Sequence, residues 1–124
     1  MNLLSRLLGR RAPKKKFKLR PDEIVTLISN MGGGMVSDQI TVEGRPVGYM
    51  YRQAPNHEAD SGWTFMAGTE SQEYADDPKN WSICDLNTAA NFDRAIVPYL
   101  ESPVGTRLDR VVGGVEFHVS EEKA

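Results

Sequence analysis

Apolar and polar residues alternate with a period of two over Val47-Gly48-Tyr49-Met50-Tyr51-Arg52, with Val47, Tyr49 and Tyr51 set against Gly48, Met50 and Arg52. Successive side chains of a strand point to opposite faces, so this period predicts a β-strand. Trp63 and Phe65 alternate with Thr64 and Met66 in a second such segment. The connection from Ala54 to Gly62 is rich in turn formers, which predicts a long hairpin loop between the two. Trp81–Leu86 reads as a further strand, and Met35-Val36-Ser37 begins another. Val115–Val119 is the last, apolar on one face, with Val111 and Val112 as candidates for the same strand and Gly113-Gly114 as a bulge or break.

Helical signals lie between these runs. Pro21, Asp22 and Glu23 suit a first turn, and Ile24, Leu27 and Ile28 make an apolar stripe behind them. Gly32-Gly33-Gly34 is expected to terminate that helix. Thr69-Glu70-Ser71-Gln72 reads as a capping box for a short helix through Tyr74, stopped at Asp77-Pro78. Asn87 is expected to cap a turn containing Ala89 and Ala90, and Asp93 another turn toward Tyr99. The resulting class is α+β: a single domain with an antiparallel or mixed sheet, short helices packed on one side, and no internal repeat.

Charge divides the chain in two. Residues 1–20 hold eight of the fifteen basic residues and no acid, so residues 21–124 carry seven basic against seventeen acidic residues, a formal balance of −10. Residues 1–20 therefore read as a flexible or weakly amphipathic basic tail, and 21–124 as the folded domain. Leu3, Leu4, Leu7 and Leu8 fall at helical spacing, which offers weak contact with an anionic membrane; no specific nucleic acid partner is expected. Arg6 interrupts the apolar run before it reaches the roughly 7–15 residues of a signal-peptide core, and no run approaches the ~20 residues that span a bilayer. A single cysteine, Cys84, excludes an internal disulfide framework and fits a cytoplasmic setting.

Enzyme chemistry finds little support. Gly32-Gly33-Gly34 is no phosphate loop, because no Gly-Lys-Ser/Thr follows it. His57, Glu58 and Asp60 crowd one loop without His-Glu-x-x-His spacing, and His118 is the only other histidine. Neither a metal nor a cofactor is expected. Cys84 and Asp85 would need a histidine to form a triad, but Ile83 and Leu86 flank the thiol and favour a buried packing role. The acids are more informative as a group. Glu58, Asp60, Glu70, Glu73, Asp76 and Asp77 share one region with Trp63, Tyr74 and Trp81. Acids that steer and aromatics that anchor suit a cationic partner, although charge for solubility is the competing explanation.

Residues 33 to 110 carry an ordered series of landmarks: Ser37-Asp38, Val47-Gly48-Tyr49-Met50-Tyr51-Arg52, Asp60-Ser61-Gly62-Trp63, Asp85-Leu86-Asn87-Thr88 and Pro98-Tyr99-Leu100. In order and spacing the series resembles a bacterial family first catalogued as a domain of unknown function and later grouped with predicted immunity proteins of polymorphic toxin systems. The loop Gln53–His57 is less acidic than the Glu-Glu-Pro-Asp-Asn type of that family, Cys84 replaces a bulkier residue, and the basic tail lies outside the shared region. The resemblance implies a non-enzymatic, immunity-type inhibitor that neutralises a cognate protein toxin, or another basic protein, through an acidic, aromatic-containing surface. Arg52, Glu58, Asp60, Trp63, Glu73 and Asp85 are the expected partner-binding residues. The rival readings are a membrane-tethered interaction module and a small hydrolase.

Overall fold

The computed structural model describes residues 15–121. Six strands form one sheet: β1 (Gly33–Ser37), β2 (Tyr49–Arg52), β3 (Asp60–Met66), β4 (Trp81–Asp85), β5 (Arg107–Arg110) and β6 (Phe117–Val119), in the spatial order β4-β1-β3-β2-β5-β6. β1 runs parallel to β3, and every other pairing is antiparallel, so the sheet is mixed. Three short helices are α1 (Asp38–Thr41), α2 (Gln72–Asp76) and α3 (Leu86–Phe92), joined by 3-10 turns at Pro21–Glu23, Pro78–Asn80 and Arg94–Tyr99. The domain is α+β, as the periodicity indicated.

The register explains how the core is divided. Val36 lies opposite Phe65, and Phe65 opposite Met50, which in turn lies opposite Leu108. These side chains share one face of the sheet. There they pack with Ile40 of α1, Leu86, Ala89 and Ala90 of α3, and Ile96 and Leu100. Met35, Thr64 and Met66 alternate onto the opposite face. That face is covered only in part: Met35 and Trp81 are buried there, with Met66 and Ala75 of α2 packed against them. One face thus carries two helices and a 3-10 turn; the other carries α2 alone.

Gly48 and Gly62 hold positions that no side chain can share. A Cβ on Gly48 would sit 2.1 Å from the Ala67 carbonyl oxygen, and one on Gly62 2.0 Å from that of Gln53. Gly62 also has φ +86°, the left-handed region in which glycine pays no steric penalty. Both residues let β2 and β3 approach closely at the two ends of their hairpin.

Several sequence expectations shift. The helix expected over Ile24–Ile28 is absent; after the 3-10 turn at Pro21–Glu23 the chain crosses the core as an irregular strap. Leu27, Ile28 and Met31 still pack on the main core. Two asparagines of α3 take over the hydrogen bonding that a helix would supply. Asn87 Oδ1 accepts from Leu27 N (2.7 Å) and Ile28 N (3.2 Å), while Asn91 Oδ1 accepts from Val25 N (3.0 Å). The β-branched Val25 and Thr26 weaken a local helix further. Gly33 and Gly34 open β1 rather than end a helix.

The caps also move by a residue or two. Asp85, not Asn87, caps α3 by accepting from Thr88 N at 2.7 Å. Ser71, not Thr69, caps α2, accepting from Tyr74 N at 3.0 Å. Asp93 does cap the 94–99 turn. β5 was not anticipated, and Val111–Gly114 belong to the turn joining it to β6.

Most of the basic tail, including the apolar series Leu3–Leu8, lies outside the described residues. Residues 15–20 lie against the body. Lys15 Nζ is 2.8 Å from Asp38 Oδ2 and donates to the Trp81 carbonyl at 2.7 Å, and Lys18 N donates to the Thr41 carbonyl at 2.7 Å.

Replacing Asn87 by Ala leaves Leu27 N and Ile28 N without their acceptor, while Asn91 still holds Val25. We expect a loss of about 1–3 kcal/mol in urea unfolding and faster amide exchange at Leu27 and Ile28. Unchanged exchange there would show that Asn87 is not what holds this stretch.

Candidate functional site

The partly covered sheet face holds a groove. Its floor comes from β3 and from Tyr51 of β2, and one wall is α2, set over the sheet by two contacts. Trp81 Nε1 donates to the Ala75 carbonyl at 2.9 Å, and Ala75 packs on Met35 and Trp81. The groove has a volume of about 350 Å³ and is lined by Met35, Tyr51, Met66, Asp60, Gln72 and Asp76, among others. On the other flank of α2 lies a second hollow with Tyr49, Glu70, Asp109 and His118. Tyr49 and Tyr51 sit side by side, ring centroids 5.6 Å apart.

The expected partner-binding residues fall into different environments. Arg52 turns to the main core side, donating to the Ser61 and Ser102 carbonyls at 2.9 and 2.7 Å, with its guanidinium 5.9 Å from the Trp63 ring centre. Trp63 is 1% exposed and donates Nε1–H to the Leu100 carbonyl at 3.0 Å. Asp60 lines the groove, but its carboxylate also holds the hairpin loop, accepting from Asn56 N and Gly62 N, both at 2.8 Å. Glu58 is exposed on that loop and Glu73 is exposed on α2. Asp85, the α3 cap, lines a separate hollow with Asn30 and Ala59. Of the six, Asp60 and Trp63 border the groove, Glu73 lies on α2 and Glu58 on the hairpin loop without lining it, and Arg52 and Asp85 lie elsewhere.

Tyr51 and Asp76 were missing from the expected set. The alternation around Met50 already placed Tyr49 and Tyr51 on one face. Only the tertiary fold shows that the face is open and that Asp76 overlooks it.

The other chemical candidates separate in the same way. His57 Nδ1 accepts from Ala59 N at 3.2 Å, a contact within its own loop, while His118 is exposed on β6. Among the described residues, no three His, Cys, Asp or Glu side chains converge to hold a metal ion. Cys84 is buried beside Gly34 on β1. Desolvation pushes its thiol up to about 12, with Asp85 and Asp38 adding to the rise and Lys15 opposing it. A neutral, enclosed thiol is a poor nucleophile. The Tyr74 phenol is also raised, by burial and by Asp38, against a hydrogen bond with Ser37 that lowers it.

A family model described as the immunity protein Imm33 domain matches residues 34–119. No curated protein and no solved structure matches the chain. The matched span runs from β1 through β6 and includes every residue that lines the groove. No helix among the described residues is long and apolar enough to cross a membrane.

The raised Cys84 pKa has a definite pH signature. The folded state binds the thiol proton more tightly than the unfolded chain does, so the contribution to stability is intact below the unfolded value near 9 and is lost as pH rises toward about 12. Cys84→Ala should flatten the fall in stability across that alkaline window. An identical slope in the variant would place the alkaline loss in other groups.

Proposed function

The chain belongs to the Imm33 immunity protein family, and from that premise we propose that it binds and neutralises a cognate protein toxin through the face around α2. One observation supports this reading above the others. Asp60 and Asp76 line a groove that also has Tyr51 and Met66 in its lining and no basic side chain, while exposed Glu73 lies on α2 and exposed Glu58 on the loop whose Gln53 and Asn56 line the groove too. An acidic rim steers a cationic partner toward the face, and the aromatic and thioether surface supplies the contact area that holds it.

In this reading the protein acts by occlusion and not by turnover. A toxin that handles polyanions must present a basic surface, and an acidic face laid on that surface excludes the substrate. Asp60 serves both as rim and as the brace of the hairpin loop. Arg52 and Trp63 set the position of β2 and β3 from the opposite side of the sheet. Asp85 contributes by capping α3. The complex would form in the cytoplasm, where the lone buried cysteine stays reduced.

The test begins with capture of the partner from native lysate and its identification by mass spectrometry. Association is then measured for the chain and for Glu58→Lys/Glu73→Lys/Asp76→Lys. These three side chains are exposed, so reversing them spares the carboxylates that brace the fold. Association should slow by at least about tenfold at low salt and lose most of its salt dependence. Unchanged kinetics in a folded triple variant would move the interface to another face.

A further inference from the structure

The groove beneath α2 also indicates what fills it, a step that rests on the immunity reading above. We propose that the groove is the seat of a single arginine side chain of the partner protein, stacked on Tyr51 and paired with Asp76.

Charge is the first reason. Asp60 and Asp76 line the groove, the remaining lining is neutral, and no lysine, arginine or histidine is part of it. A cation entering there meets two carboxylates and no basic side chain in the lining. The two acids differ in availability. Both oxygens of Asp60 already accept backbone N–H groups. Asp76 accepts only from Gln72 Nε2, at 2.8 Å through Oδ1, and its other oxygen has no partner among the described residues. Asp76 is the pairing group, and Asp60 adds to the field.

The second reason is a guanidinium that the fold itself sets on the same ring. Arg107, on β5 and outside the groove lining, places its guanidinium carbon 6.0 Å from the Tyr51 ring centre and donates to the Tyr49 hydroxyl at 3.3 Å. The tyrosine pair therefore already serves as a platform for planar cations.

Size and geometry give the third reason. A volume of about 350 Å³ accepts one long side chain and lies near the floor of the roughly 300–1,000 Å³ usual for small-molecule sites. Gln53, Asn56 and Gln72 on the rim supply neutral acceptors for the outer N–H groups of a guanidinium. A lysine ammonium carries its charge as a point and cannot stack as a plane on tyrosine while donating sideways to Asp76. Arginine does both.

The test is a nitrogen–proton correlation NMR titration of the full chain with N-acetyl-Gly-Arg-Gly-amide, using the lysine and citrulline analogues as controls. The arginine peptide should shift the Tyr51, Gln53 and Asp76 amides and the Trp81 indole resonance saturably. The lysine peptide should bind at least about threefold more weakly and the neutral citrulline peptide not at all. Asp76→Asn, on the exposed side of α2, should lower arginine affinity at least about fivefold while the spectrum stays dispersed. Absent or unlocalised shifts, equal binding of citrulline or lysine, or an unaffected Asp76→Asn would each overturn the proposal. A captured toxin alongside a silent peptide titration removes the arginine seat and leaves the immunity reading intact. Arginine-selective binding in a chain that captures no toxin does the reverse.

Discussion

Burial of β3 on both of its faces is the constraint on which the rest of the structure depends, because each face demands a different cover. Trp63 and Phe65 on one side require α1, α3 and the 94–99 turn, and Trp63 further needs the Leu100 carbonyl for its indole N–H. Thr64 and Met66 on the other side receive only the five residues of α2. A helix so short cannot roof a sheet of six strands, so a groove remains along one flank and a hollow along the other. The proposed binding face follows from this asymmetry: the heavily covered side is the main core, and the lightly covered side keeps an open groove on a rigid floor.

Carboxylates are put to two separate uses on this frame. Asp38, Asp85 and Asp93 are structural. Asp38 pairs with Lys15 and accepts from the Ser82 hydroxyl, Asp85 caps α3, and Asp93 joins Val47 N, Ala95 N and the Arg110 guanidinium 2.6 Å away. Arg110 and Asp93 are both partly buried, so removing one partner leaves the other's charge only partly solvated. Glu58 and Glu73 stand exposed, as does Asp76, which accepts from Gln72 one turn back on its own helix. Those side chains can be spent on a partner without loss to the fold.

The sequence showed the strands well where alternation was strong, as at Tyr49–Arg52 and Asp60–Met66, and where a bulky residue opened the run, as at Trp81. It hid β5, because Leu108 is the only apolar residue among Arg107, Asp109 and Arg110. It misplaced a helix at Ile24–Ile28 because apolar spacing alone cannot reveal that Asn87 and Asn91, some sixty residues later, satisfy that backbone. The candidate site was legible in part. The acidic run around α2 was visible, yet nothing local separated Trp63, buried in the core, from Tyr51 on the open face, since burial is decided by what lies across the sheet.

The most direct measurement is amide hydrogen exchange across the chain, free and bound to its captured toxin. Added protection should concentrate at α2, at the loop 53–59 and along β2, with α3 and the 24–32 strap unchanged. Protection centred instead on the strap, on α3 or on the β5–β6 turn would contradict the claim that the lightly covered face is where this immunity protein meets its partner.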